Sequence, residues 1–178
     1  MSIEPVHKRF PKVPIERRAY AFLIDFIGVW LVSSLVGGNL ALQVLVFLLL
    51  WLALRVVLVS SNLGQSPGRW AFDIKVLDAK YSKIPGLLAL AKREGILGLG
   101  AILAIIGLRA ALANPISLLL LIAPILADCG VALSDPDSQQ AFHDRIAQTI
   151  VIQTRRGFSL DLRIKKIVAQ LRHRVQKW

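Results

Sequence analysis

Four long apolar runs, at about residues 19–36, 40–59, 95–113 and 116–133, are separated by segments that hold nearly all of the lysines and arginines. Of 22 Lys and Arg residues, only Arg55 and Arg109 fall inside a run. Each run approaches the roughly 20 residues that an α-helix needs to cross the hydrocarbon of a bilayer. Lipid offers no water to backbone groups, so segments of this kind satisfy their own hydrogen bonds as helices. The chain therefore reads as an all-α membrane protein, a four-helix transmembrane bundle of two helical hairpins. The hairpins turn at Gly37-Gly38-Asn39 and at Asn114-Pro115.

Composition agrees with this reading. Apolar residues make up 55% of the chain and charged residues 19%, an excess that a soluble domain of this size would not carry in such long runs. A net charge of +11 would suit a nucleic-acid partner, but the cations sit where membrane flanks need them. No nucleic-acid partner is expected. Five Lys and Arg precede residue 19, six lie between 60 and 93, and nine follow 133, whereas the two hairpin turns hold none. By the positive-inside rule all three basic segments, and so both termini, are cytoplasmic. The expected location is an integral membrane, of bacterial inner or thylakoid type.

Outside the spans three pieces are expected. Residues 1–18 form a cytoplasmic arm, extended because Pro5, Pro11 and Pro14 disfavour helix, and closed by Arg17 and Arg18. Its polar, proline-broken character is not that of a secretory leader, so the first apolar run is expected to be retained. Within the 19–157 transmembrane domain, Phe72, Ile74 and Val76 alternate with other residues as in a short strand. A second strand-like run, Thr149 to Gln153, is expected to pair with it as a small cytoplasmic β element. Ile84 to Leu90, running into Lys92, Arg93 and Glu94, reads as an interfacial helix start. From 158 to 178, Leu160, Ile164, Ile167, Val168, Leu171, Val175 and Trp178 recur at helical spacing. Interspersed Arg163, Lys165, Lys166, Arg172, Arg174 and Lys177 make this a basic amphipathic helix, suited to anionic lipid headgroups.

The charges inside the runs are the candidate site. Asp25 lies about 9 Å into the first helix at 1.5 Å per residue, and an ionised carboxylate there needs a partner or a proton. Arg55 is about 6 Å and Asp128 about 8 Å from the cytoplasmic ends of their spans, at comparable depth. One cluster of Asp25, Arg55 and Asp128 is therefore expected, with Arg18 on the same helix face as Asp25. Read as function, two acids sharing a cation suit proton or sodium exchange. Read as architecture, they are a buried ion pair that fixes helix register. Ala21 and Gly28 on the first helix, and Gly100, Ala104, Gly107 and Ala111 on the third, are small residues that favour close helix contact. Pro124, four residues before Asp128, frees a carbonyl one turn earlier. Arg109, near the far end of its span, can extend toward the opposite surface.

Two patterns mislead. Gly64-Gln65-Ser66-Pro67-Gly68 matches Gly-x-Ser-x-Gly, but Pro67 lacks the N–H that an oxyanion would need. His143-Asp144 has no further histidine or cysteine at ligand spacing, and Cys129 stands alone in an apolar run. No metal, cofactor or enzymatic role is expected.

Three pieces occur in a fixed order: RRAYAFLID at 17–25, GQSPGRWAFDIKVLD at 64–78 and FHDRIAQTIVI at 142–152. Together they resemble the RDD family, named for an arginine and two aspartates. The resemblance makes Arg17 or Arg18, Asp25 and Asp144 the signature positions. Ser66 stands where the family has threonine, and Arg69 where it has lysine. It implies a small multi-pass membrane protein, and some members are linked to sodium–proton exchange. Two functions are expected: an accessory or scaffold component packing on other membrane proteins or on itself, or a cation–proton exchanger.

Overall fold

The computed structural model describes residues 13–111, 113–134 and 139–154, and beyond them Ser159, Leu160, Leu162, Arg163, Lys166 and Gln170. Helix α1 (Ile15–Ser34) starts at Pro14, earlier than the expected span at 19. Proline suits a helix start because the first N–H groups have no partner there anyway. Arg17 and Arg18 therefore belong to the first turn of α1 instead of closing an extended arm; residues 1–12 of that arm lie outside the described residues. Helix α2 (Leu40–Ser61) is capped by Asn39, whose side chain accepts from the backbone of Ala41 and Leu42. It contains one π turn at Ala53–Val57 that carries Arg55.

The connection after α2 folds back against α1. Ser66 caps a short helix α3 (Pro67–Ala71), with Pro67 at its first position. Strand β1 (Ile74–Asp78) follows. Helix α4 (Leu87–Ala110) is continuous through Lys92, Arg93 and Glu94, which corrects the reading of an interfacial start before a span at 95. Helix α5 (Pro115–Leu133) is capped by Asn114 and runs through Pro124 as one helix. A short helix α6 (Phe142–Ile146) leads to strand β2 (Thr149–Gln153). The strands pair antiparallel, Ile74 with Gln153 and Asp78 with Thr149, so the expected β element forms.

Helix α1 packs on α2, α4 on α5, and α2 on α4, so two hairpins lie side by side. Among the described residues two helices, α2 and α5, are long and apolar enough to cross a membrane. Helices α1 and α4 are of similar length but carry more charge, Glu16, Arg17, Arg18 and Asp25 on one and Lys92, Arg93, Glu94 and Arg109 on the other. The small-residue stripe of α4 seats α5: a Cβ on Gly100 would lie 2.5 Å from Ile125, and one on Gly107 3.2 Å from Leu121. Gly28 on α1 does not serve the expected close contact, since a Cβ there meets nothing within 4 Å.

Two apolar clusters form the interior. One gathers Ala21, Val59, Val76, Leu90 and Val151 beside the β element. The other holds Phe26, Phe47, Trp51, Leu97 and Ala101 among the long helices, with Trp51 and Phe47 stacked at 5.5 Å. At the far end, Arg109 donates to Gln43 at 2.6 Å and to the Gly38 carbonyl at 3.2 Å, tying α4 to the first hairpin's turn. In the expected tail helix, Leu160, Leu162, Arg163, Lys166 and Gln170 are helical. Ile164, Lys165, Ile167, Val168, Leu171, Arg172, Arg174, Val175, Lys177 and Trp178 lie outside the described residues.

Candidate functional site, a buried network of charges

Where the two apolar clusters meet, each helix inserts a charge. Asp25 follows Ala21 and precedes Phe26 on α1, Arg55 lies between Trp51 and Val59 on α2, and Glu94 between Leu90 and Leu97 on α4. All three are almost fully buried. Burying an isolated charge is costly, so such groups persist only with hydrogen-bonded counter-charges. Here Arg55 donates to Asp25 at 2.7 Å and to Glu94 at 2.6 Å, bridging the two acids. Its guanidinium also lies 4.7 Å from the Trp51 ring, whose Nε1 donates to the Glu94 carbonyl at 3.1 Å.

Helix α3 completes the receptor for Asp25. Ser66 Oγ donates to Asp25 Oδ2 at 2.6 Å, and the Gly68 backbone N–H donates to Oδ1 at 2.8 Å. This approach explains both glycines of the Gly-x-Ser-x-Gly-Arg segment. A Cβ on Gly68 would sit 2.1 Å from the Ala21 carbonyl oxygen, and Gly64, at φ +82°, would place one 2.4 Å from that of Val76. Ser66 is thus a cap and an Asp25 donor, far from nucleophile geometry.

Glu94 is the hub. Besides Arg55 it accepts from Arg69 at 2.6 Å and from Arg93 at 2.7 Å. Burial, reinforced by Arg55 and Arg93, pulls Arg69 down to about 9 despite the acids beside it. Arg93 carries the network onward, donating from Nε to Asp144 at 2.8 Å. Asp144 also accepts from Thr149 Oγ1 at 3.3 Å and faces Arg18 at 3.7 Å. Burial works to raise the Asp144 carboxyl, but Arg93, then His143 and Arg18, outweigh it and hold it below the usual range. Arg18 reaches further, to the Gln139 carbonyl at 2.6 Å.

Asp128 terminates the network through His143, not through Asp25 or Arg55. Its Oδ1 accepts the His143 backbone N–H at 2.9 Å, and its Oδ2 lies 2.5 Å from His143 Nδ1. His143 Nε2 is 3.2 Å from Arg93 Nη2, which can only donate. In its neutral form the imidazole accepts there and carries its proton on Nδ1, toward Asp128.

The structure thus brings Asp25 together with Arg55, and Arg18 with Asp144, and joins Asp128 to them through His143 and Arg93. Arg17 lies beside Arg18 on α1, outside the contacts traced here, although it too has an interaction partner. Glu94, Arg93, Arg69 and Ser66 are the members that sequence reasoning did not place in the cluster, and His143 was set aside as a decoy. A signal for Glu94 existed: Leu90, Glu94, Leu97 and Ala101 fall on one helical stripe, and Glu94 is the only glutamate after residue 16. The three motif pieces meet in this network, Arg18 and Asp25 from the first, Ser66, Gly68 and Arg69 from the second, His143, Asp144 and Thr149 from the third.

A family model described as the RDD family matches residues 12–148, well over half of the chain. No curated protein and no solved structure matches it.

Proposed function

The chain belongs to the RDD family, and we propose from that premise that it is a four-span membrane protein whose charge network is a structural brace, and that it acts as an accessory or scaffold component on other membrane proteins. Membership in the family and two strongly apolar helices make it a membrane protein. Under this reading α1 and α4 also cross, with their charges neutralised inside the bundle, and both termini face the cytoplasm as the basic segments direct.

One observation carries the brace. Both oxygens of Asp25, Glu94 and Asp128 accept a hydrogen bond from the protein, and the second oxygen of Asp144 faces Arg18. A cation site needs carboxylate oxygens that are not already committed to arginine. Here the acids and arginines neutralise one another, and what they hold in place is the cytoplasmic β element and α3. The outer helix α5 meanwhile keeps Ile116, Leu119, Leu120 and Leu126 more than 60% exposed, an apolar face open to lipid or to a neighbouring membrane protein.

Cation–proton exchange remains the second reading, favoured by one feature: Asp128 is the acid whose side-chain partner is a histidine, His143, in place of an arginine. The test is sodium-driven proton movement in sealed liposomes holding the purified protein, compared with Asp128→Asn and Asp25→Asn. No movement in any of the three supports the brace. Movement in the native protein that is lost in folded Asp128→Asn overturns it in favour of exchange.

A further inference from the structure

Both short helices dock on the long ones by the same device. On α3, Pro67 has no N–H, the Gly68 N–H donates to Asp25 Oδ1 at 2.8 Å, and the Arg69 N–H donates to Ser66 Oγ at 3.4 Å. On α6, the His143 N–H donates to Asp128 Oδ1 at 2.9 Å. The first N–H groups of a helix have no partner within it and are ordinarily left to water or a cap. Here carboxylates of α1 and α5 take them. These bonds also fix a depth. About 8 Å of helix separates Asp128 from the Leu133 end of α5. About 9 Å separates Arg55, the partner of Asp25, from the Ser61 end of α2.

We propose that α3 and α6 are sunk beside the long helices into the cytoplasmic leaflet, with Trp70, Phe142 and Ile146 against phospholipid acyl chains. The inference rests on α2 and α5 crossing the bilayer, as in the proposed four-span reading. Helix α5 has no length to spare: its 19 residues reach about 28 Å, against a hydrocarbon core of about 30 Å. Lifting Asp128 to the membrane surface would draw the Pro115 end about 8 Å inward from the far side. The bond to Asp128 therefore holds α6 below the surface, and the bond to Asp25 holds α3 at a matching depth. Backbone at that depth needs partners within the protein, and the carboxylates supply them at Gly68 and His143. The outward faces suit lipid. On α6, His143 and Asp144 are buried while Phe142, Arg145 and Ile146 face out; on α3, Gly68 and Arg69 are buried while Pro67 and Trp70 face out. Trp70 is 51%, Phe142 50% and Ile146 47% exposed. The single charge among these outward residues, Arg145, has a long stem that carries its guanidinium toward the headgroups.

The test is nitroxide labelling of the full chain in dioleoyl phosphatidylglycerol liposomes, in a Cys129→Ala background. Power-saturation EPR then compares collisions with molecular oxygen, which concentrates in lipid, and with a water-soluble nickel chelate. Labels at Trp70→Cys, Phe142→Cys and Ile146→Cys are each expected to favour oxygen, as a label at Leu120→Cys on the exposed face of α5 does. A label at Ser82→Cys, between β1 and α4, favours nickel. Probes on both short helices, two of them on α6, keep the outcome decisive if one variant fails to fold. Nickel preference on α3 or α6 overturns the proposal, and so does shielding of either helix from both reagents, which means that a second copy covers it. The Leu120→Cys label separates the premises. Nickel preference there overturns the crossing of α5, and the four-span reading with it, whereas oxygen preference there with nickel preference on the short helices overturns this inference alone.

Discussion

At the scale of single residues, Glu94 shows how a buried charge is made tolerable by number. Three arginines converge on one fully buried carboxylate, and each of them is nearly as buried. Removing the central charge leaves three cations facing one another in a medium that solvates them poorly. Glu94→Gln is therefore expected to lose about 3–5 kcal/mol, the usual size for breaking a buried pair from one side. Thermal unfolding in detergent measures it. A variant that melts with the native protein would show that the arginines find other acceptors and that Glu94 is not the hub. The same logic explains why Asp25 needs no free cation: a helix cap, a backbone N–H and Arg55 already share its charge.

At the scale of elements, the network docks α3 and the β element with α6 onto the long helices. Asp144 on α6 is where that docking is sensitive to pH. Its carboxyl sits below the ordinary range when folded, because Arg93, His143 and Arg18 outweigh burial. A depressed folded value contributes stability that is present above the unfolded value, near 3.9, and lost as pH falls through the folded one. Amide exchange over residues 142–153 is thus expected to stay slow at about pH 5 and to accelerate only below about pH 4. In Asp144→Asn the segment should exchange faster already at neutral pH, with the acid step flattened. Loosening of the native protein already between about pH 5 and 7 would show that Asp144 is not the controlling group.

At the scale of the whole molecule, the proposed four-span arrangement predicts sidedness. In a Cys129→Ala background, Gly38→Cys in the first hairpin turn should react with a membrane-impermeant maleimide only from the far side. Ser82→Cys, between β1 and α4, should react only from the cytoplasmic side. Labelling of both from one face would overturn the topology. The course of the long helices was legible in the sequence because hydropathy is summed over many residues and needs no knowledge of contacts. The hairpin turns and the strand-like alternation near Ile74 are likewise local signals. The sequence by itself therefore determined where the helices run, which segments turn, and that Asp25 and Arg55 lie at one depth. Helix starts were less legible: Arg17, Arg18, Lys92, Arg93 and Glu94 read as flanks, since a charge in an apolar helix is penalised until its partner is known. Only the tertiary structure decided those partners. Asp128 went to His143 instead of Asp25, Glu94 gathered three arginines, and Gly68 met the Ala21 carbonyl, because each contact joins residues far apart in the chain, and pairing across such distances depends on how the helices and the β element pack in three dimensions.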